Sequence, residues 1–88
     1  MGPLQVRVAG KSHWYDVTNF ASLAALRQAK RNQATVLIRP TQFGYENLTR
    51  TQHMGIGSKV EFRDEGQTDD FETQHVQAIQ STGMTFTI

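Results

Sequence analysis

Three stretches of this chain alternate apolar and polar residues with a period of two: LQVRV (4–8), SKVEFR (58–63) and MTFTI (84–88). Successive side chains of an extended strand point to opposite faces, so each stretch fits a strand with one face in a core and one in water. Leu4, Val6 and Val8, then Val60 and Phe62, then Met84, Phe86 and Ile88 are expected inward. A half-buried sheet is the element around which everything else must pack.

Eighty-eight residues make one domain, 1–88, with a modest core, since a chain of this length buries only about 60–65% of its unfolded surface. No cysteine is present, so no disulfide supplements that core and thiol chemistry is excluded. No apolar run approaches the roughly 20 residues of a membrane span. The start, MGPLQVRV, lacks the apolar centre of a secretory signal, so a cytoplasmic location is expected.

Between the first and second alternating stretches lie the signals of a hairpin, a helix and a third strand. Gly10-Lys11 suits a two-residue hairpin loop with Gly first, and SHWYDV (12–17) supplies the returning strand. FASLAALRQAKR (20–31) is rich in helix formers, with Thr18 or Asn19 available as a cap and Asn32 as a left-handed terminator. At 100° per residue Leu23, Leu26 and Ala29 lead its core face, and Lys30 must snorkel past them. ATVLI (34–38) is continuously apolar, which fits a central strand buried on both faces. Residues 41–57 show no clean period and carry three glycines, so a long irregular loop is expected there.

The acidic stretch 64–72 begins as a turn, DEGQTDD, and FETQHVQAIQ (71–80) is read as strand rather than helix. Ser81-Thr82-Gly83 fits a three-residue hairpin loop with Gly in the left-handed position. The expected fold is α+β: ββαβ followed by a β-meander, one helix packed on a four- or five-stranded mixed sheet. A ubiquitin-like (β-grasp) arrangement is one topology with that order.

Charge is the most informative functional signal. Residues 1–50 carry seven Lys and Arg against two acids, a net +5, whereas residues 51–88 carry two against six, a net −4. Arg27, Lys30, Arg31 and Arg39 concentrate the positive side, and Asp64, Glu65, Asp69 and Asp70 the negative side. Lys30 and Arg31 would favour a helix C-terminus with no ligand at all. The same cations are also the candidate grip for nucleic acid, although stacking aromatics are not interleaved with them.

Other chemistry finds little support. His13, His53 and His75 lack the close ligand spacing of a zinc site, and the acids of 64–72 do not follow the calcium-hand pattern. GIGSK (55–59) runs into a strand instead of opening a helix, so it is not a phosphate cradle, and no nucleophile or paired-carboxylate signature occurs. No cofactor, metal or membrane partner is expected, and no enzymatic activity.

The expectation is therefore a non-enzymatic protein–protein interaction module. It would bind itself through its opposite charges, add its last strand to a neighbour, or bind and inhibit a larger protein. Phe43, Tyr45 and His53 in the 41–57 segment are candidate anchors, because aromatic side chains often carry interface energy. The alternative is a nucleic-acid-binding protein that uses Arg27, Lys30, Arg31 and Arg39. Brevity and the absent cysteines also suit an accessory or virion-assembly protein of a phage, which would place it in the virion.

Overall fold

A computed structural model describes residues 2–87, and those residues form an α+β fold. In chain order the elements are β1 (Leu4–Val8), β2 (Tyr15–Asp16), α1 (Leu23–Asn32), β3 (Thr35–Ile38), α2 (Gln42–Arg50), β4 (Lys59–Asp64), β5 (Glu72–His75), β6 (Ala78–Ile79) and β7 (Met84–Thr87). They build two sheets, β2-β1-β4-β5 and β3-β7-β6, in which every pairing is antiparallel. The α+β expectation holds. The single mixed sheet with one helix, and with it the β-grasp arrangement, gives way to two antiparallel sheets and two helices.

The inward positions of the alternating stretches lie where their period puts them, although Gln5 and Thr85 on the opposite faces are buried as well. Leu4 and Val6 of β1, Val60 and Phe62 of β4, and Met84 and Phe86 of β7 are completely buried. Ile88 lies outside the described residues. Phe62 and Phe86 meet with ring centroids 5.5 Å apart, so the two sheets share one core. Leu23 and Leu26 of α1 and Leu48 of α2 close over it, with Ala29 packed at the margin.

Several local expectations are corrected. The first turn is centred on Ala9-Gly10, with Lys11 N–H donating to Val8 O (3.0 Å) and Gly10 at φ 85°, so glycine fills the second central position. The strand after it is only two residues long. Gln52, buried from α2's exit, inserts its amide where the next rung would form: its Oε1 accepts Val8 N–H (2.8 Å) and its Nε2 donates to His13 O (2.9 Å).

Ser22 caps α1, its hydroxyl accepting Ala25 N–H (3.1 Å), and the helix runs into an extended Gln33 without a left-handed Asn32. Thr18 and Asn19 serve β3 instead. Asn19 accepts Arg39 N–H (3.0 Å) and donates to Leu37 O (2.8 Å), while Thr18 donates to Arg39 O through both its N–H and its hydroxyl (2.7 Å each). In the sheet β3 is flanked by β7 alone, so it is an edge strand and not a central one, and Asn19 covers Leu37 O on its free side. The central strand of that sheet is β7, between β3 and β6, so its backbone is not open for strand addition.

The loop before β7 is shorter than the expected three residues, since Gln80 N–H already reaches Gly83 O (2.8 Å) around Ser81-Thr82. Gly83 is needed for close approach and not for a positive φ: a Cβ there would fall 2.0 Å from Ile38 O.

The largest departure is α2, where irregular loop was expected across 41–57. Thr41 caps it by accepting Gly44 N–H (3.0 Å). Its inner stripe is Gly44 and Leu48, continued by Gln52, a pattern with too few large apolar residues to read as a helix period. Gly44 lets the helix press on the hairpin, because a Cβ there would lie 2.8 Å from Tyr15 Cβ.

Replacing Gln52 with Leu leaves Val8 N–H and His13 O without partners in a nearly dry site. A loss of about 1–3 kcal/mol is expected, read as a lower urea midpoint. An unchanged midpoint would show that water replaces the amide at no cost.

Candidate functional site

The four basic residues do not form one patch. Arg27 and Lys30 turn towards β5 and share Glu72, Arg27 Nε at 2.9 Å from Oε1 and Lys30 Nζ on Oε2, with Gln74 donating to the same carboxylate (3.2 Å). Burial raises the Glu72 pKa, but the hydrogen bonds from Lys30, Arg27 and Gln74, with the Lys30 charge, outweigh it and hold the group below its ordinary 4.5. Arg31 is exposed and makes no ion pair among the described residues. Arg39 lies beyond the far end of β3, about 13 Å of extended chain from Thr35.

The acidic residues are divided as well. Asp64 is half-buried and accepts Leu23 N–H (2.8 Å), so it serves the start of α1. Glu65, Asp69 and Asp70 are exposed in the turn that follows.

The densest collection of interaction-prone side chains surrounds α2. On one side of the helix a cleft of about 570 Å³ is lined by Thr18, Arg39, Pro40, Gln42, Tyr45, Glu46, Arg50, Ser81 and Thr82. On the other side a groove of about 220 Å³ is lined by Trp14, Tyr15, Asp16, Thr41 and Phe43. Phe43 stands 71% exposed, its ring edge-on to Tyr15 at 6.1 Å.

Helical spacing explains the division. Gln42, Tyr45, Glu46 and Arg50 recur at three- and four-residue intervals along one stripe, while Phe43 projects to the other side. Tyr45 packs on the core and donates its hydroxyl to Gln80 O. Burial raises its pKa above 10.0, so it keeps that proton at neutral pH. Arg39 is fixed by its backbone, clamped by Thr18 and Asn19, with its side chain exposed.

Of the expected anchors, Phe43 and Tyr45 therefore belong to this face. His53 does not line it. It takes a left-handed φ of 59° just past α2, where Met54 N–H returns to Leu48 O (2.8 Å) and stops the helix. Trp14, Tyr15, Arg50, Ser81 and Thr82 were not singled out by sequence. The adjacent aromatics of SHWYDV carried a signal, since alternation must turn one of two neighbours outward, but it does not say which.

A second aromatic cluster is closed on itself. Arg7 and Arg63 each lie 4.4 Å from the Trp14 ring, and Phe71 meets that ring edge-on at 5.0 Å. Glu61 pairs with Arg7 (3.0 Å), while Gln5 Oε1 and Gln67 O accept from Arg63 (2.9 Å each). Both guanidinium groups are thus committed to holding the hairpin against the outer face of β4.

Among the described residues no group of three or more His, Asp or Glu is placed to hold a metal ion, and no helix is long and apolar enough to cross a membrane. No protein-family model, curated protein or solved structure matches the chain.

The Glu72 cluster sets a pH dependence. A carboxylate with a depressed folded pKa contributes stability above its unfolded pKa, and that contribution is lost as pH falls through the folded value. Glu72→Gln is expected to cost about 1–3 kcal/mol at pH 7. The gap from the unsubstituted protein should close as pH falls below 4.5. Denaturant unfolding at several pH values measures it, and a gap independent of pH would remove the ion pairs from the account.

Proposed function

We propose that this chain is a small, non-enzymatic protein–protein interaction module and that the face around α2 is its contact surface. The observation that carries this reading is the 71% exposure of Phe43 beside Trp14 and Tyr15 in one groove, with Tyr45, Arg39 and Arg50 in the cleft on the other side of α2. Four of the chain's eight aromatic residues gather there. Aromatic residues and arginine are the types enriched at interface centres, where large rigid surfaces are desolvated at small entropic cost. Among the described residues the cleft is lined by no histidine, and no base is hydrogen-bonded to Ser81 or Thr82, which supports binding in preference to catalysis. Nucleic-acid binding by the end of α1 is the weaker reading, because Arg27 and Lys30 are already engaged by Glu72.

Phe43→Ala and Arg39→Ala test the surface, since both side chains are exposed and their removal should leave the melting temperature unchanged. Each should weaken capture of the partner from an extract of the source cells, or self-association, by about thirtyfold in Kd, as expected for an interface hot spot. The reading fails if both variants retain the same partners at the same affinity. Salt-sensitive binding of single-stranded RNA or DNA that is weakened by Arg31→Ala but untouched by Phe43→Ala would transfer the function to nucleic acid.

A further inference from the structure

We infer that the partner of the cleft is the acidic turn, residues 64–70, of a second copy of this chain. This inference rests on the α2 face being a protein-binding surface and adds the identity of the occupant.

The turn is built as a rigid, negatively charged knob. Gln67 braces it from within: its Oε1 accepts Asp64 N–H (3.1 Å), and its Nε2 donates to Asp69 O (2.7 Å) and Asp70 O (3.1 Å). Arg63 also holds the Gln67 carbonyl (2.9 Å). Gly66 (φ 88°) and Asp70 (φ 57°) both take left-handed backbone, free to glycine and more accessible to Asp than to most residues. Glu65, Asp69 and Asp70 are exposed, the Glu65 side chain lying along Gly2, and none makes an ion pair among the described residues. An ordered loop loses little entropy on docking.

The cleft is the complementary half. Arg39 makes no side-chain ion pair among the described residues, and Arg50 reaches only a loose contact with Glu46 (3.8 Å) while 80% exposed. A planar guanidinium binds a carboxylate through two parallel hydrogen bonds, so an aspartate arriving from outside competes well for Arg50. Ser81 and Thr82, with side chains in no hydrogen bond among the described residues, add hydroxyl donors at the rim. No residue of the turn lines the cleft, and the cleft's own acid, Glu46, reaches Arg50 only at 3.8 Å and leaves Arg39 without an ion pair among the described residues. Two different surfaces then meet, a heterologous contact that repeats into a ring or a filament.

Mass in solution by light scattering, at about 50 mM and about 500 mM salt, reads the contact directly. The full chain should rise above its 9.9 kDa monomer mass with concentration at low salt and return to it at high salt. Arg39→Glu/Arg50→Glu and Glu65→Lys/Asp69→Lys should each be monomeric alone, because knob and cleft then repel. Their mixture should associate, since each pairs with the other's unaltered half. Asp70 is left in place, as its backbone suits few side chains. If the lysine pair unfolds, Glu65→Gln/Asp69→Asn should show reduced association instead.

A full chain that stays monomeric up to about 1 mM at low salt overturns the inference. So does association that the charge reversals do not change. If Phe43-dependent capture of another protein persists alongside such a monomer, the contact surface stands and only its occupant is wrong.

Discussion

Residues 17–19 cross residues 37–41 edge to edge, and this crossing ties the two sheets into one molecule. Val17 bridges Pro40, Thr18 and Asn19 bind the backbone of Leu37 and Arg39, and Thr41 N–H donates to Asp16 O (3.0 Å). Each such bond contributes only about 0.5–1.5 kcal/mol net, but leaving the edge of β3 unpaired would cost more. The crossing also fixes where Arg39 and Pro40 leave the sheet, and therefore where α2 begins. Both grooves beside α2 inherit their shape from that point.

A recurring device is the side-chain amide that stands in for backbone. Gln52 replaces a rung of the first hairpin, Asn19 satisfies the edge of β3, and Gln67 braces the acidic turn. An amide carries a donor and an acceptor in the same geometry as a peptide group, so it can end a strand or cover an edge without a further strand. The nine glutamines of the chain acquire a structural meaning in this light. Among the described residues, no buried side-chain polar atom lacks a partner.

The charge asymmetry of the sequence is partly consumed inside the fold, in ion pairs of three of the seven cations of residues 1–50 with two of the six acids of residues 51–88. Arg7 with Glu61, and Arg27 and Lys30 with Glu72, each join a cation of the first half to an acid of the second. These pairs hold the hairpin and α1 to the β4–β5 ladder. What stays outward keeps a smaller part of the same asymmetry: Lys11, Arg31, Arg39 and Arg50 from the first half, against Lys59, Glu65, Asp69 and Asp70 from the second.

The sequence by itself determined the strands of the core and the inner face of the first helix. Leu4, Val6, Val60, Phe62, Met84 and Phe86 repeat every second residue, and Leu23 and Leu26 follow a helical turn, because burial on one face imposes a period on the local chain. The acidic turn was legible for the same reason, since solvation and Gly66 act locally, but the stretch 71–80, read as one strand, divides into β5 and β6, which join different sheets. The tertiary structure alone decided which strands are edges, because β3 and β7 gain their neighbours from residues tens of positions away. It also decided α2, whose inner stripe reads as Gly44, Leu48 and Gln52 and is helical by virtue of its close fit against Tyr15. The cleft belongs to the same class: Thr18, Arg39, Arg50 and Ser81 come from four separate segments, and only the packing of those segments brings them to one surface.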